Sequence, residues 1–111
     1  MSERVVVELS LPIATVRLEG PARHNVLDVA GWRALADGVN ELSERDDVRC
    51  IAVRGTGGRA FSAGSDIGAF ATQRSEPEDV RAYSLAIGAA MHAVRTCRHP
   101  TVAIIEGLCV G

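Results

Sequence analysis

The chain contains no lysine: all twelve basic residues are arginines, set against fourteen acidic residues for a formal net charge of −2. The two signs are interspersed, so there is no basic track along which a nucleic-acid backbone would be neutralised, and nucleic acid is excluded as an expected partner. Cysteine is scarce. Cys50, Cys97 and Cys109 are odd in number and lack the paired spacing of a disulfide scaffold or a zinc site, which fits a reducing, cytoplasmic compartment. Long apolar runs are also missing. The opening residues Met1-Ser2-Glu3-Arg4-Val5 carry charge where a signal peptide would be apolar, and no stretch is long enough to span a bilayer, so a soluble, unexported chain without a membrane partner is expected. What is present, 111 residues with 47% hydrophobic content, suffices for one core and one domain. The arginine-only usage carries little chemistry by itself, although arginine suits phosphate-bearing ligands.

The order of apolar patterns predicts an α/β chain. Val5 to Leu9 and Ile13 to Leu18 are β-branched runs separated by Ser10-Leu11-Pro12, predicting a hairpin whose second strand ends at Gly20-Pro21. Trp32, Leu35, Ala36, Val39 and Leu42 come next at the spacing of one helix face, with Asp28 placed to cap the first turn and the helix ending near Arg45-Asp46-Asp47. Val48 to Val53 predicts a strand buried on both faces of a parallel sheet. After the turn Gly55-Thr56-Gly57-Gly58, the segment Ala60 to Asp66 leads into a short helix with Ile67, Ala69 and Phe70. Ser75-Glu76-Pro77-Glu78 has the form of a capping box, and Val80, Tyr83, Ser84, Ile87, Met91 and Val94 continue as a long helix with a core-facing stripe. Thr101 to Ile105 predicts another buried strand, running into the glycine-rich Gly107 to Gly111. A parallel strand so placed normally leads into a helix, so the architecture reads as interrupted.

Two places share one logic, a strand followed by a glycine turn at a helix start. In Ala63-Gly64-Ser65-Asp66-Ile67, Gly64 permits a tight turn, Asp66 can cap the helix, and the Ser65 amide is left free to face an anion. The second is Gly107-Leu108-Cys109-Val110-Gly111. Two amides converging from separate turns would form an oxyanion hole, where loss of one donor slows a characterised enzyme by ~10²–10³. From spacing alone, two ordinary strand–helix connections are the alternative. Other chemistries compete less well. Gly55-Thr56-Gly57-Gly58-Arg59-Ala60 matches a dinucleotide fingerprint in letters, but continues into Phe61-Ser62-Ala63-Gly64 instead of opening a helix. Ser62 imitates a nucleophile elbow, for which His24, His92 or His99 would have to supply the base. His92, Cys97 and His99 lack the spacing of a metal set, and helix-end packing accounts for them.

Three segments together carry a resemblance. Gly58 to Ile67 resembles the crotonase pattern of Phe, two small residues, Gly, a variable residue, Asp and an aliphatic. Pro21-Ala22-Arg23-His24-Asn25-Val26-Leu27 is similar to that family's Pro-x-x-x-Asn-Ala-Leu, and Pro100 to Gly111 to its Pro-x-Ile-Ala-x-Val-x-Gly-x-x-x-Gly. The order is right, and the three cover the chain from about Val5 onward.

The resemblance implies a crotonase-like ββα spiral, with residues 1–111 its N-terminal part and the C-terminal remainder outside this chain. It also implies the activity of the enoyl-CoA hydratase/isomerase family, hydration or isomerisation of an acyl-CoA thioester through an enolate held between two amides. The first amide matches Ser65. The second belongs to a three-glycine run whose first member matches Gly111, so the donor and the hydratase pair of glutamates are expected after it, and these 111 residues alone are expected to be inactive. Arg23, His24, Val26, Ala63, Gly64, Ser65, Asp66 and Ile67 match positions along the coenzyme A path, Arg23 as a phosphate contact. No separate cofactor or metal is implied, coenzyme A being part of the substrate, and family members commonly form trimers or pairs of trimers. Three positions depart from the pattern: Ser65 for Ala, Val26 for Ala, and Glu106 for Asn. A non-catalytic coenzyme-A-binding or assembly fragment is the alternative reading, and a serine hydrolase using Ser62 a weaker one.

Overall fold

The structure, a computed structural model, describes residues 4–66 and 77–111. Strands β1 (Val5–Ser10) and β2 (Ile13–Leu18) form the expected antiparallel hairpin, in register Val5 to Leu18 through Ser10 to Ile13. Helix α1 (Val29–Ser43) comes after a single 3-10 turn at Pro21–Arg23, and Asp28 caps it by accepting from the Gly31 amide at 2.8 Å. Strand β3 (Cys50–Gly55) returns parallel to β2, and β4 (Ala60–Ser62) leaves that sheet. Helix α2 (Pro77–Thr96) leads to β5 (Thr101–Ile104), parallel to β3, and then to β6 (Leu108–Cys109), which pairs parallel with β4. Among the described residues the strands form a four-stranded sheet in the order β1-β2-β3-β5 and a two-stranded sheet of β4 and β6.

The core lies between the face of the large sheet carrying Ala14, Val16, Leu18 and Ile51 and the two helices, which pack on each other. Leu35, Ala36, Val39 and Leu42 of α1 are buried as its periodicity predicts, and Trp32 is half-buried. The stripe of α2 agrees with expectation at Tyr83, which is fully buried, and at Val94, which packs against the core, and differs at other positions. Its buried residues are Tyr83, Ala86, Ala90 and Ala93, whereas Val80, Ser84 and Met91 are exposed. Alanine lets the helices approach closely, so the small side chains form the contact and the larger ones turn outward. The expected short helix at Ile67 to Phe70 and the first two capping-box residues, Ser75 and Glu76, lie outside the described residues.

Two strand expectations are corrected. Val48 is fully buried but precedes β3, which begins at Cys50. Thr101 to Ile105 does not form a strand buried on both faces. Among the described residues it is the edge of the sheet and pairs with β3 alone, and Val102, Ile104 and Ile105 are exposed because nothing there covers its outer side. No helix among the described residues is long and apolar enough to cross a membrane.

Gly88 sits exposed in α2 with open space where a Cβ would go. Gly88→Ala is therefore expected to raise stability by roughly 0.5–1 kcal/mol, read as a higher urea midpoint at constant slope.

Candidate functional site

The site is built from three segments that the sequence pattern singles out. The first turns at His24 and Asn25, both in the left-handed region at φ 56° and 55°, a conformation asparagine tolerates better than most residues. Asn25 is fully buried, and its Nδ2 donates to Thr56 O and Ala60 O, each at 3.0 Å. Its backbone is equally engaged, the amide donating to Gly20 O and the carbonyl accepting from Ser62 Oγ. Asn25 thus ties the Pro21–Arg23 turn to the connection between β3 and β4.

The second segment, Ala60 to Asp66, runs beside the first. Ala63 N donates to His24 O at 2.9 Å, Leu27 N to Gly64 O at 2.9 Å, and Asp66 N to Leu27 O at 2.8 Å. Leu27 and Ser65 form a parallel bridge in which Leu27 supplies both the donor and the acceptor. By the geometry of a parallel ladder, the Ser65 N–H then faces the opposite side, and it makes no hydrogen bond among the described residues. The Ser65 hydroxyl accepts from Trp32 Nε1 at 3.2 Å, and Tyr83 Oη donates to Leu27 O at 2.9 Å.

The third segment is β6 and the residues after it. Leu108 N donates to Arg59 O and Val110 N to Ser62 O, bringing Gly111 against Gly64. The approach is so close that a Cβ on Gly111 would lie 2.7 Å from Gly64 Cα, and one on Gly64 3.0 Å from Gly111 Cα. Gly64 and Gly111 have positive φ, 85° and 117°. Only glycine meets both demands, so the two glycine turns named from the sequence converge at one point. Beside them lies a cavity of about 410 Å³, walled by Leu27, Trp32, Phe61, Met91, Val94 and Val110 among others.

Asp66, only 1% exposed, accepts from Arg4 Nη1 and Arg23 Nη2, each at 2.6 Å. Two guanidiniums thus compensate the charge of a carboxylate held away from water. The hydrogen bond to Asp66 raises the Arg4 pKa above its ordinary value, burial opposes this, and Asp28 adds to the rise. Arg4 also donates to Val26 O at 3.2 Å. Arg23 is the outer member, its side chain 57% exposed.

Of the residues named from the sequence, Arg23, His24, Val26, Ala63, Gly64, Ser65, Asp66 and Gly111 are brought together, while Ile67 lies outside the described residues. Whether Asp66 caps a helix falls there too. Arg4, Trp32 and Tyr83 are not among the site residues that the sequence suggests. Ser62 is buried, its hydroxyl donating to Asn25 O and accepting from Gly64 N at 3.0 Å, and no histidine bonds to it among the described residues. That is a structural serine. Gly55 ends β3 and Ala60 opens β4, so no helix comes after the letters of the dinucleotide motif. His99 Nε2 lies 2.9 Å from Arg45 O, and no metal-holding group exists among the described residues.

Parallel β-α-β units with two meeting glycine turns define a mixed α/β fold of a recognisable kind. The sequence profile described as enoyl-CoA hydratase/isomerase matches residues 13–111, and the chain belongs to that family. A solved enoyl-CoA hydratase/carnithine racemase from Magnetospirillum magneticum superposes with a TM-score of 0.89 at 34% identity, covering 96% of this chain and 40% of its own. Probable enoyl-CoA hydratase EchA14 from Mycobacterium tuberculosis is 28% identical over 107 residues, 96% of this chain and 41% of that protein. Small ribosomal subunit protein mS47 of Neurospora crassa is 32% identical over 103 residues, 89% of this chain and 20% of that protein. The chain thus spans less than half the length of the relatives it matches, and its fold is the N-terminal portion of theirs.

Proposed function

We propose that this chain holds the thioester end of an acyl-CoA, with the Ser65 amide donating to the thioester oxygen. The observation that carries the reading is the Ser65 N–H, left unbonded among the described residues by the Leu27 bridge and set where the two glycine turns meet. An amide fixed by its own ladder needs no reorganisation when charge develops on an acceptor, and the adjacent Gly64 and Gly111 line a mostly apolar cavity, where charge is screened less than in bulk water. Family membership supplies the substrate class, and the half-exposed Arg23 offers a guanidinium for a coenzyme A phosphate while its inner side stays on Asp66.

The chemistry would be stabilisation of an enolate, in hydration or isomerisation of an enoyl-CoA. A second amide would come from the turn that Gly111 begins, and the proton-transferring groups from beyond it. Assembly into trimers or pairs of trimers and a cytoplasmic setting belong to the same reading. These 111 residues by themselves are expected to bind without turning over. Equilibrium dialysis against labelled crotonyl-CoA tests the binding: saturable uptake displaced by acetyl-CoA and not by inorganic phosphate is expected, and absence of saturable uptake contradicts the reading. Hydration monitored by loss of the enoyl absorbance is expected to be nil, and robust turnover would show that the acid/base groups lie within the chain.

A further inference from the structure

We infer that Trp32 is a positioning residue for the Ser65 amide, acting through the Ser65 hydroxyl. An indole N–H is a donor only, and a half-buried tryptophan keeps that donor satisfied. Here the partner is Ser65 Oγ at 3.2 Å, on the residue whose backbone N–H faces outward. The contact therefore fixes the side-chain torsion of the residue that bears the amide and ties that residue to α1. On the other strand of the bridge, Leu27 O accepts from both Asp66 N at 2.8 Å and Tyr83 Oη at 2.9 Å, which its two lone pairs allow. One strand is thus braced from α1 and the other from α2, and the two helices pack on each other, so the bridge sits in a frame independent of its own loops. The brace on the Ser65 side exists because residue 65 bears a hydroxyl, which alanine would not supply. The consequence for an oxyanion rests on the function proposed above; the coupling of Trp32 to the bridge does not.

Amide exchange and nitrogen-15 NMR on the 111-residue chain test the coupling. Trp32→Phe keeps an apolar ring and removes the donor; it is expected to speed exchange of the Leu27 and Asp66 amides about tenfold, leaving Leu35 and Val39 in α1 unchanged. Ser65→Ala reads the same contact from its other end should Trp32→Phe lower global stability. The double variant is expected to exchange no faster than either single one, because both remove one interaction. Ser65→Thr, which retains the hydroxyl, is expected to restore the original rates. Trp32 is the only tryptophan, so its single indole N–H resonance should move in Ser65→Ala and return in Ser65→Thr. Multiplying effects in the double variant, or an indole resonance indifferent to Ser65→Ala, would overturn the inference. Titration with crotonyl-CoA separates the two ideas: coupled exchange without any ligand-induced shift at Ser65 keeps the positioning role and rejects the thioester reading.

Discussion

Gly55→Ala is expected to destabilise the chain by roughly 3–5 kcal/mol, the range reserved for substitutions that break packing and buried hydrogen bonds together. Gly55 is the last residue of β3, and a Cβ there would lie 2.3 Å from both Ala60 O and Phe61 O and 2.7 Å from Asn25 Nδ2. Two of those atoms are backbone carbonyls, so no rotamer change relieves the overlap. Ala60 O is also an acceptor for the buried Asn25 amide, and pushing it away leaves a buried donor unpaired, itself a loss of about 1–3 kcal/mol. A single domain holds only about 5–15 kcal/mol in total, so the loss removes a large share of its stability. Urea denaturation monitored by circular dichroism, with Gly88→Ala as the favourable counterpart, measures the difference. A Gly55→Ala midpoint matching the parent would mean that β3 and β4 do not approach as described.

Ser65→Pro is expected to lower kcat/KM by ~10²–10³ in a chimaera carrying residues 4–111 in place of the matching part of an active full-length hydratase. Proline deletes the one N–H proposed to meet the thioester oxygen while leaving the cavity wall in place. Ser65→Ala keeps that N–H and loses only the acceptor for Trp32, so activity should fall less than tenfold. The contrast between the two separates amide from hydroxyl. A loss with alanine as large as with proline would place the hydroxyl in the chemistry and reject the amide as the principal donor.

Much of this arrangement is legible in the sequence wherever the signal is local. Asp28 caps α1 as its position before an amphipathic run predicts, and the α1 stripe of Leu35, Ala36, Val39 and Leu42 is core. Gly64 and Gly111 announce their turns because no other residue suits that backbone. The illegible parts depend on partners distant in the chain. The apolar run Thr101 to Ile105 looks buried by its pattern, yet β5 is an edge among the described residues, since periodicity does not say what covers a strand. The contact face of α2 escapes a reading based on large apolar residues, because Ala86, Ala90 and Ala93 are buried through close helix approach. Arg4 meets Asp66 across 62 positions, and Trp32 meets Ser65 across 33; no local pattern marks either pair.

The proposed site is tested most directly by titrating nitrogen-15-labelled chain with crotonyl-CoA and, separately, with free coenzyme A, which lacks the thioester carbonyl. Residues 24–26, 63, 64 and 66 should respond to both ligands, whereas the Ser65 amide proton should move downfield with crotonyl-CoA alone. A Ser65 resonance that stays still at saturation, or that moves equally with free coenzyme A, would contradict the placement of the thioester oxygen on that amide.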